Sequence, residues 1–203
     1  MKMTKEYSQI VYTAHGVEFD MEIKVDIAVS RGNSSTYVLI IPGIDGSRDG
    51  YKNKYKTIAE RLNHRYNATI IRMSNPHVPG GSWELNVHKV IEYIKQEFNL
   101  CEKSNSTLYI MGFSLGGYLI GSIAYEYDFI SKLLLINPAS KLNLTMFFSG
   151  LQTFNGKTTI LLGDHDPMFK YTERLQCLGS QVVVVSGADH NFSGEHFNTF
   201  LNA

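Results

Sequence analysis

Three short segments of the sequence combine residue types that can carry out nucleophilic catalysis. They are residues 112–116 (GFSLG), 163–167 (GDHDP) and 187–190 (GADH), and each follows an apolar run typical of a β-strand. A serine hydroxyl becomes an effective nucleophile when a histidine accepts its proton, and an aspartate holds that histidine in the productive tautomer. The three segments supply these residue types in the order Ser, Asp, His. The pattern therefore favours acyl transfer through a covalent intermediate on the serine.

The serine segment has the spacing of a tight strand-to-helix turn. Gly112 and Gly116 stand two residues before and after Ser114, and small residues are needed where the backbone turns so sharply. Such a turn exposes the hydroxyl and directs the next helix N-terminus toward a developing oxyanion. A serine that merely caps a helix between two packing glycines is the alternative interpretation. We favour the catalytic one because an apolar run precedes the segment and a helical pattern follows it.

The acid and the base each have competing candidates. Asp164 and Asp166 lie in one turn, and we favour Asp166, although an aspartate before a proline is also typical of a turn that caps the next helix. His190 follows the last apolar run and both other segments, so it is the predicted base. His77 and His165 are the reserve candidates.

The rest of the chain predicts how these segments are positioned. Residues 8–13 and 18–29 are typical of an antiparallel pair of strands, and the apolar run at 37–41 is typical of a strand buried on both faces. Further along, strands alternate with helices, including a helix at 83–98 for which Ser82 is the predicted N-cap. This alternation predicts an α/β fold with a mostly parallel central sheet, helices on both faces and antiparallel N-terminal strands. All three segments then lie at the carboxyl edge of the sheet.

Length and composition are those of one globular domain spanning residues 1–203. Apolar residues make up 43% of the chain, and 19 basic residues balance 19 acidic ones, so nothing indicates a nucleic acid or an acidic membrane as partner. No apolar run approaches membrane-spanning length, and the first ten residues lack the apolar core of a signal peptide. Cys101 and Cys177 lack metal-ligand or redox spacing, so we expect a cytoplasmic protein with reduced thiols. The oligomeric state stays open.

The chain resembles the α/β-hydrolase family over residues 35–195. Ser114 matches the family nucleophile, Asp166 the acid after the penultimate strand, and His190 the base after the last strand. The resemblance implies a serine hydrolase that cleaves an ester or thioester of a small molecule through an acyl-enzyme, with no metal or organic cofactor. An acyltransferase or peptidase with the same triad is the alternative, as is a non-catalytic ligand-binding member of the fold.

The resemblance also implies an oxyanion hole and a reduced cap. Leu115 and Ile44 match the two residues whose backbone N–H groups hold the oxyanion, with Asp45 as the alternative to Ile44 because Pro42-Gly43 replaces the His-Gly common in the family. Family members often carry a cap domain where this chain has only residues 141–155, which form either an apolar flap or a packed helix. Met146 and Phe147 in this connection are candidates for lining the substrate site, and its brevity predicts a preference for short acyl groups.

Overall fold

The computed structural model describes residues 5–16, 20–100 and 106–202. Cys101 and the first two residues of the predicted strand 18–29 lie outside the described residues. The described strands are β1 (Lys5–His15), β2 (Asp20–Ser30), β3 (Thr36–Ile41), β4 (Thr69–Met73), β5 (Thr107–Phe113), β6 (Ile130–Ile136), β7 (Lys157–Gly163) and β8 (Gln181–Val185). The helices are α1 (Lys54–Tyr66), α2 (Glu84–Glu97), α3 (Leu115–Ile123), α4 (Leu144–Thr153), α5 (Thr172–Cys177) and α6 (Phe197–Leu201). Within these described ranges, no helix has both the length and the apolar character needed to cross a membrane.

All eight strands belong to one sheet, in the order β1-β2-β4-β3-β5-β6-β7-β8. β1 pairs antiparallel with β2, and β2 pairs antiparallel with β4. Every other neighbouring pair, from β4 across to β8, is parallel. The prediction of a mostly parallel sheet with antiparallel N-terminal strands is confirmed. The carboxyl ends of β3, β5, β7 and β8 therefore share one edge of the sheet.

The continuously apolar sequence of β3 is explained by the packing of both of its faces. Leu39 and Ile41 pack in a core shared with α2, α3, α4 and α5, whereas Val38 and Ile40 pack in a second core shared with α1 and α6. Successive side chains of a strand point to opposite faces, so a strand covered on both faces must be apolar at every position. The helices thus cover both faces of the sheet, as predicted.

The prediction that Ser82 caps α2 is wrong. Trp83 occupies the N-cap position, and no side chain caps the helix there. Ser82 ends the single 3₁₀ turn at 79–81, and its carbonyl, rather than its hydroxyl, accepts a hydrogen bond from the Leu85 N–H at 3.1 Å. A backbone carbonyl of the preceding turn therefore accepts a hydrogen bond from the first turn of the helix, in place of a side-chain cap.

The connection at 141–155 contains a packed helix, α4, and not a flap. Gly150 of α4 touches the backbone of α3, since an added Cβ would lie 2.6 Å from the Ser122 carbonyl oxygen. Phe147 and Phe148 are both buried, and the Phe147 ring stacks on Tyr118 of α3 with centroids 5.9 Å apart. This close approach fixes α4 to the body of the domain.

Candidate active site

Ser114 sits at the sharp turn between β5 and α3. Its backbone has φ 53° and ψ −117°, a conformation that non-glycine residues rarely adopt and that costs energy to maintain. A side chain at Gly112 would meet the carbonyl oxygen of Gly116 at 2.7 Å, and a side chain at Gly116 would meet the backbone oxygens of Ile41 and Pro42. The turn therefore needs glycine at both positions. The strained turn lifts the serine hydroxyl away from the backbone.

The structure brings the predicted serine, histidine and aspartate together as a hydrogen-bonded relay, which we define as Ser114, His190 and Asp166. The Ser114 Oγ lies 2.8 Å from His190 Nε2, and His190 Nδ1 is hydrogen-bonded to Asp166 Oδ2. The Asp166 side chain is 1% exposed, and its other oxygen accepts the Met168 N–H at 2.7 Å. Asp166 thus contacts the histidine and also caps the turn that follows, so the two interpretations of its sequence hold at once.

Asp164 has a different set of partners in the same turn. Its carboxylate accepts hydrogen bonds from the Gly187 N–H at 2.7 Å and the Ser186 hydroxyl at 3.1 Å. In the loop after β8, a hydrogen bond from the Ser193 backbone N–H holds the pKa of Asp189 below its usual range. These two carboxylates shape the loop on either side of the histidine, and neither is the partner of its ring.

The reserve histidines also have other neighbours. His165 Nε2 lies 3.9 Å from Asp164 and its side chain is 70% exposed. The His77 ring stands edge-on to Trp83, with centroids 5.5 Å apart. Among the residues that the structure describes, no group of three or more His, Cys, Asp or Glu side chains is arranged to hold a metal ion.

Asn137, at the carboxyl end of β6, is a positioning residue that the sequence analysis missed. It is fully buried, and its amide nitrogen donates to the carbonyls of Asp189 at 3.0 Å and His190 at 2.9 Å. Its side-chain oxygen accepts the Gly163 N–H at 2.9 Å. One amide therefore ties the loop of the acid to the loop of the histidine. Its place just after an apolar strand, beside the same edge of the sheet, is the signal that could have identified it.

The expected oxyanion donors lie on two elements beside the nucleophile. Leu115 is the first residue of α3, so its N–H is among the helical donors that have no acceptor within the helix. The loop after β3 passes next to Ser114, because a Cβ on Gly43 would lie 3.3 Å from the serine Cβ. Ile44 follows in that loop with a 58% exposed side chain, and Asp45 has a positive φ of 50°.

Three neutral side chains hold that loop, and we call them the amide network: Tyr12, Asn86 and Asn75. The Tyr12 hydroxyl donates to Asn86 Oδ1 at 2.8 Å, and Asn86 Nδ2 donates to Asn75 Oδ1 at 2.9 Å. The Asn75 N–H then donates to the Gly46 carbonyl at 2.9 Å, while its amide nitrogen lies 3.5 Å from the carbonyls of residues 42–43. Burial raises the pKa of Tyr12 to about 12, so the hydroxyl stays a neutral donor.

Solved structures share the backbone path of this chain. A dienelactone hydrolase from Anabaena variabilis has a TM-score of 0.68 and 14% identity, with 97% of this chain and 94% of that chain covered. The peroxisomal alpha-beta-hydrolase Lpx1 from Saccharomyces cerevisiae has a TM-score of 0.73 and 11% identity over 98% and 87%. An esterase domain from Rhodothermus marinus has a TM-score of 0.66 and 11% identity over 97% and 94%. This chain has the α/β-hydrolase fold. No protein-family model and no curated protein sequence matches it.

Within the α/β-hydrolase fold, the two residues predicted to line the substrate site lie in different environments. Phe147 is fully buried and stacked on Tyr118, and an added Cβ on Gly121 would meet its ring at 2.9 Å. Phe147 therefore packs α4 against α3, which corrects its assignment to the substrate site. Met146 is 51% exposed and borders a shallow cavity with Tyr125, a cavity whose lining does not include the relay. The cavity beside Met146 is therefore separate from the relay.

Proposed function

We propose that the protein is a serine hydrolase that cleaves the ester or thioester of a small acyl group through an acyl-enzyme. The observation that carries this proposal is the 2.8 Å contact between Ser114 Oγ and His190 Nε2, with the other ring nitrogen hydrogen-bonded to the buried Asp166. That arrangement activates a serine for attack on an acyl carbon. The fold is also that of a dienelactone hydrolase and an esterase domain, which supports the same class of reaction.

In the first half of the reaction, the serine forms a bond to the acyl carbon. The Ser114 Oγ attacks the carbonyl carbon while its proton passes to His190 Nε2. The resulting imidazolium is stabilised by the Asp166 carboxylate, whose burial keeps water from competing for it. The negative oxygen of the tetrahedral intermediate is held by the backbone N–H groups of Leu115 and Ile44. His190 then gives its proton to the departing alcohol or thiol, and the acyl-enzyme remains.

The second half returns the enzyme to its starting state with water as the acceptor. His190 takes a proton from a water molecule as the water oxygen attacks the acyl carbon, and the same N–H groups hold the new oxyanion. The proton then passes back to Ser114 Oγ as the carboxylic acid leaves. The His190 side chain is 37% exposed, so water can reach the base directly.

Covalent labelling combined with one matched pair of serine variants tests this proposal. A fluorophosphonate probe is expected to label Ser114, with the adduct located by peptide mass spectrometry. Ser114→Ala is expected to remain folded, lose the label and lose at least about 10³-fold in kcat on p-nitrophenyl esters or acyl-CoA thioesters. Ser122→Ala is the control, because Ser122 lies on the same helix and its hydroxyl donates to the Tyr118 carbonyl at 2.9 Å. A label on another residue, or full turnover by Ser114→Ala, would overturn the proposal.

A further inference from the structure

A cavity of about 530 Å³ lies between the start of α1 and the loop that follows His190. Its volume is in the range of small-molecule sites. The lining includes Lys52 and Lys54 from one side and Asn191 and Ser193 from the other, and it contains no carboxylate. The cavity therefore offers two cations and two neutral polar side chains next to the predicted catalytic base.

Lys54 is the unusual member of this lining. The residue is only 7% exposed, and its ammonium lies over three aromatic rings, at 3.9 Å from Phe113, 4.2 Å from Phe200 and 5.1 Å from Tyr55. Among the described residues, no carboxylate forms an ion pair with it, and burial alone accounts for the shift of its pKa down to about 8. The ammonium is thus still charged at neutral pH, in a place where a charge is costly.

Among the described residues, the other two buried charged side chains have ion-pair or hydrogen-bond partners. Arg72 is 1% exposed and forms an ion pair with Asp49, and Asp166 is hydrogen-bonded to His190. Cation–π contacts compensate only part of the loss of hydration of an ammonium. Lys54 is part of the cavity lining, so an anion bound in the cavity would supply the missing counter-charge.

We propose that this cavity binds a small anionic group, a carboxylate or a phosphate, through the Lys54 ammonium. The Phe113 ring joins the two sites, since Lys54 lies over it and the His190 ring is 5.6 Å from it. Lys52, whose ammonium is 6.0 Å from the Phe197 ring at the same cavity, adds a second positive charge. An ester with a free acid group can occupy both sites at once, and that part of the proposal rests on the proposed function; anion binding does not.

Direct titration tests anion binding without any turnover. Glutarate and inorganic phosphate are added to the wild-type protein and followed by NMR chemical shifts or calorimetry. We expect saturable binding that weakens by at least about tenfold in Lys54→Met, as for loss of a charge-assisted hydrogen bond, and by less in Lys54→Arg. Lys56→Met is the matched control, because Lys56 is on the same helix and outside the cavity lining. Circular dichroism verifies that each variant is folded.

A pair of esters with equal acyl length identifies the source of the anion. The ratio of kcat/KM for the p-nitrophenyl half-ester of glutaric acid to that for p-nitrophenyl valerate is measured in the same variants. A ratio that falls at least about tenfold in Lys54→Met and not in Lys56→Met places the acid group of a substrate in the cavity. An unchanged ratio with Lys54-dependent binding of free glutarate or phosphate supports a separate anion. The proposal would be overturned if Lys54→Met changed neither the binding of glutarate and phosphate nor the ratio of kcat/KM. Failure of the wild type to cleave valerate would count only against the hydrolase function.

Discussion

Two polar networks reach Ser114 from opposite sides of β5, and they differ in what they can do. The relay on the β7 and β8 side consists of groups that exchange or stabilise protons, with Asp166 buried behind His190. The amide network on the β3 and β4 side contains Tyr12, Asn86 and Asn75, which stay neutral, and its two asparagines bind backbone carbonyls. Proton transfer needs titratable groups, whereas an oxyanion hole needs only N–H groups held in place. The titratable groups thus lie on one side of Ser114, and the neutral groups that hold the loop after β3 lie on the other.

The two networks also differ in how they join the scaffold. Asn137 ties the loops of the relay to each other, and through the Gly163 N–H to the end of β7. The amide network instead crosses between elements far apart in sequence, from Tyr12 in β1 to Asn86 in α2 and then to Asn75 after β4. Three experiments separate the contributions of the two networks, and a fourth concerns the length of the acyl chain.

The largest difference is expected between the two aspartates of one turn. Asp166→Asn should lower kcat by at least about 10²-fold, because the amide favours the wrong histidine tautomer, while Asp164→Asn should cost less than about tenfold. Both substitutions preserve side-chain size, and circular dichroism verifies folding. If Asp164→Asn lost more kcat than Asp166→Asn in steady-state kinetics, Asp164 would be the acid of the site.

Removal of the Asn137 amide should damage activity and stability together. Asn137→Gly keeps the positive φ of 39° accessible but leaves Gly163, Asp189 and His190 without their amide partner. We expect a loss of about tenfold or more in kcat from misplacement of the histidine, and about 2–4 kcal/mol in the free energy of unfolding by urea titration. Asn63→Ala is the control, because Asn63 lies in α1, far along the chain from the relay, and its buried amide donates to the Ala68 carbonyl at 2.9 Å. Equal loss of activity in both variants would reduce Asn137 to a general stabilising role.

A break in the amide network should lower the rate without moving its pH dependence. Asn86→Leu removes the link between Tyr12 and Asn75, and we expect a loss of about tenfold in kcat as the oxyanion loop loosens. The pH profile of kcat/KM is measured for the wild type and for Asn86→Leu. The acid limb should lie at the same pH in Asn86→Leu, since an amide does not titrate. A displaced limb in the pH profile of kcat/KM would show that the two networks are electrostatically coupled.

The smallest effect concerns acyl chain length. Because α4 is packed on α3 with Phe147 and Phe148 buried, this connection offers little apolar surface for a long acyl tail. Turnover of p-nitrophenyl esters should fall a few-fold as the acyl chain grows beyond about eight carbons. A steady rise of kcat/KM up to palmitoyl would show that exposed apolar residues such as Met146 supply a groove in the bound state.

Much of the fold could be predicted because its signals are local. The continuous apolar run of β3 follows from the covering of both faces of that strand. The sharp turn at Ser114 is likewise predicted by the spacing of the glycines on either side of it. The cap of α2 could not be predicted, because a 3₁₀ turn upstream offered the Ser82 carbonyl in place of its hydroxyl. Phe147 could not be placed either, because its burial depends on how closely α4 approaches Gly121.

The sequence by itself determined the order of strands and helices, the sharp turn at Ser114 and the edge of the sheet where serine, acid and histidine meet. Those features depend on short-range periodicity and on the rule that parallel strands end at one edge. Only the tertiary structure decided that Asp166, rather than Asp164, contacts His190, that Asn137 joins the two loops and that Lys54 is buried with no ion-pair partner among the described residues. The physical reason is that hydrogen-bond partners and burial depend on side chains brought together from distant parts of the chain, which local spacing does not encode.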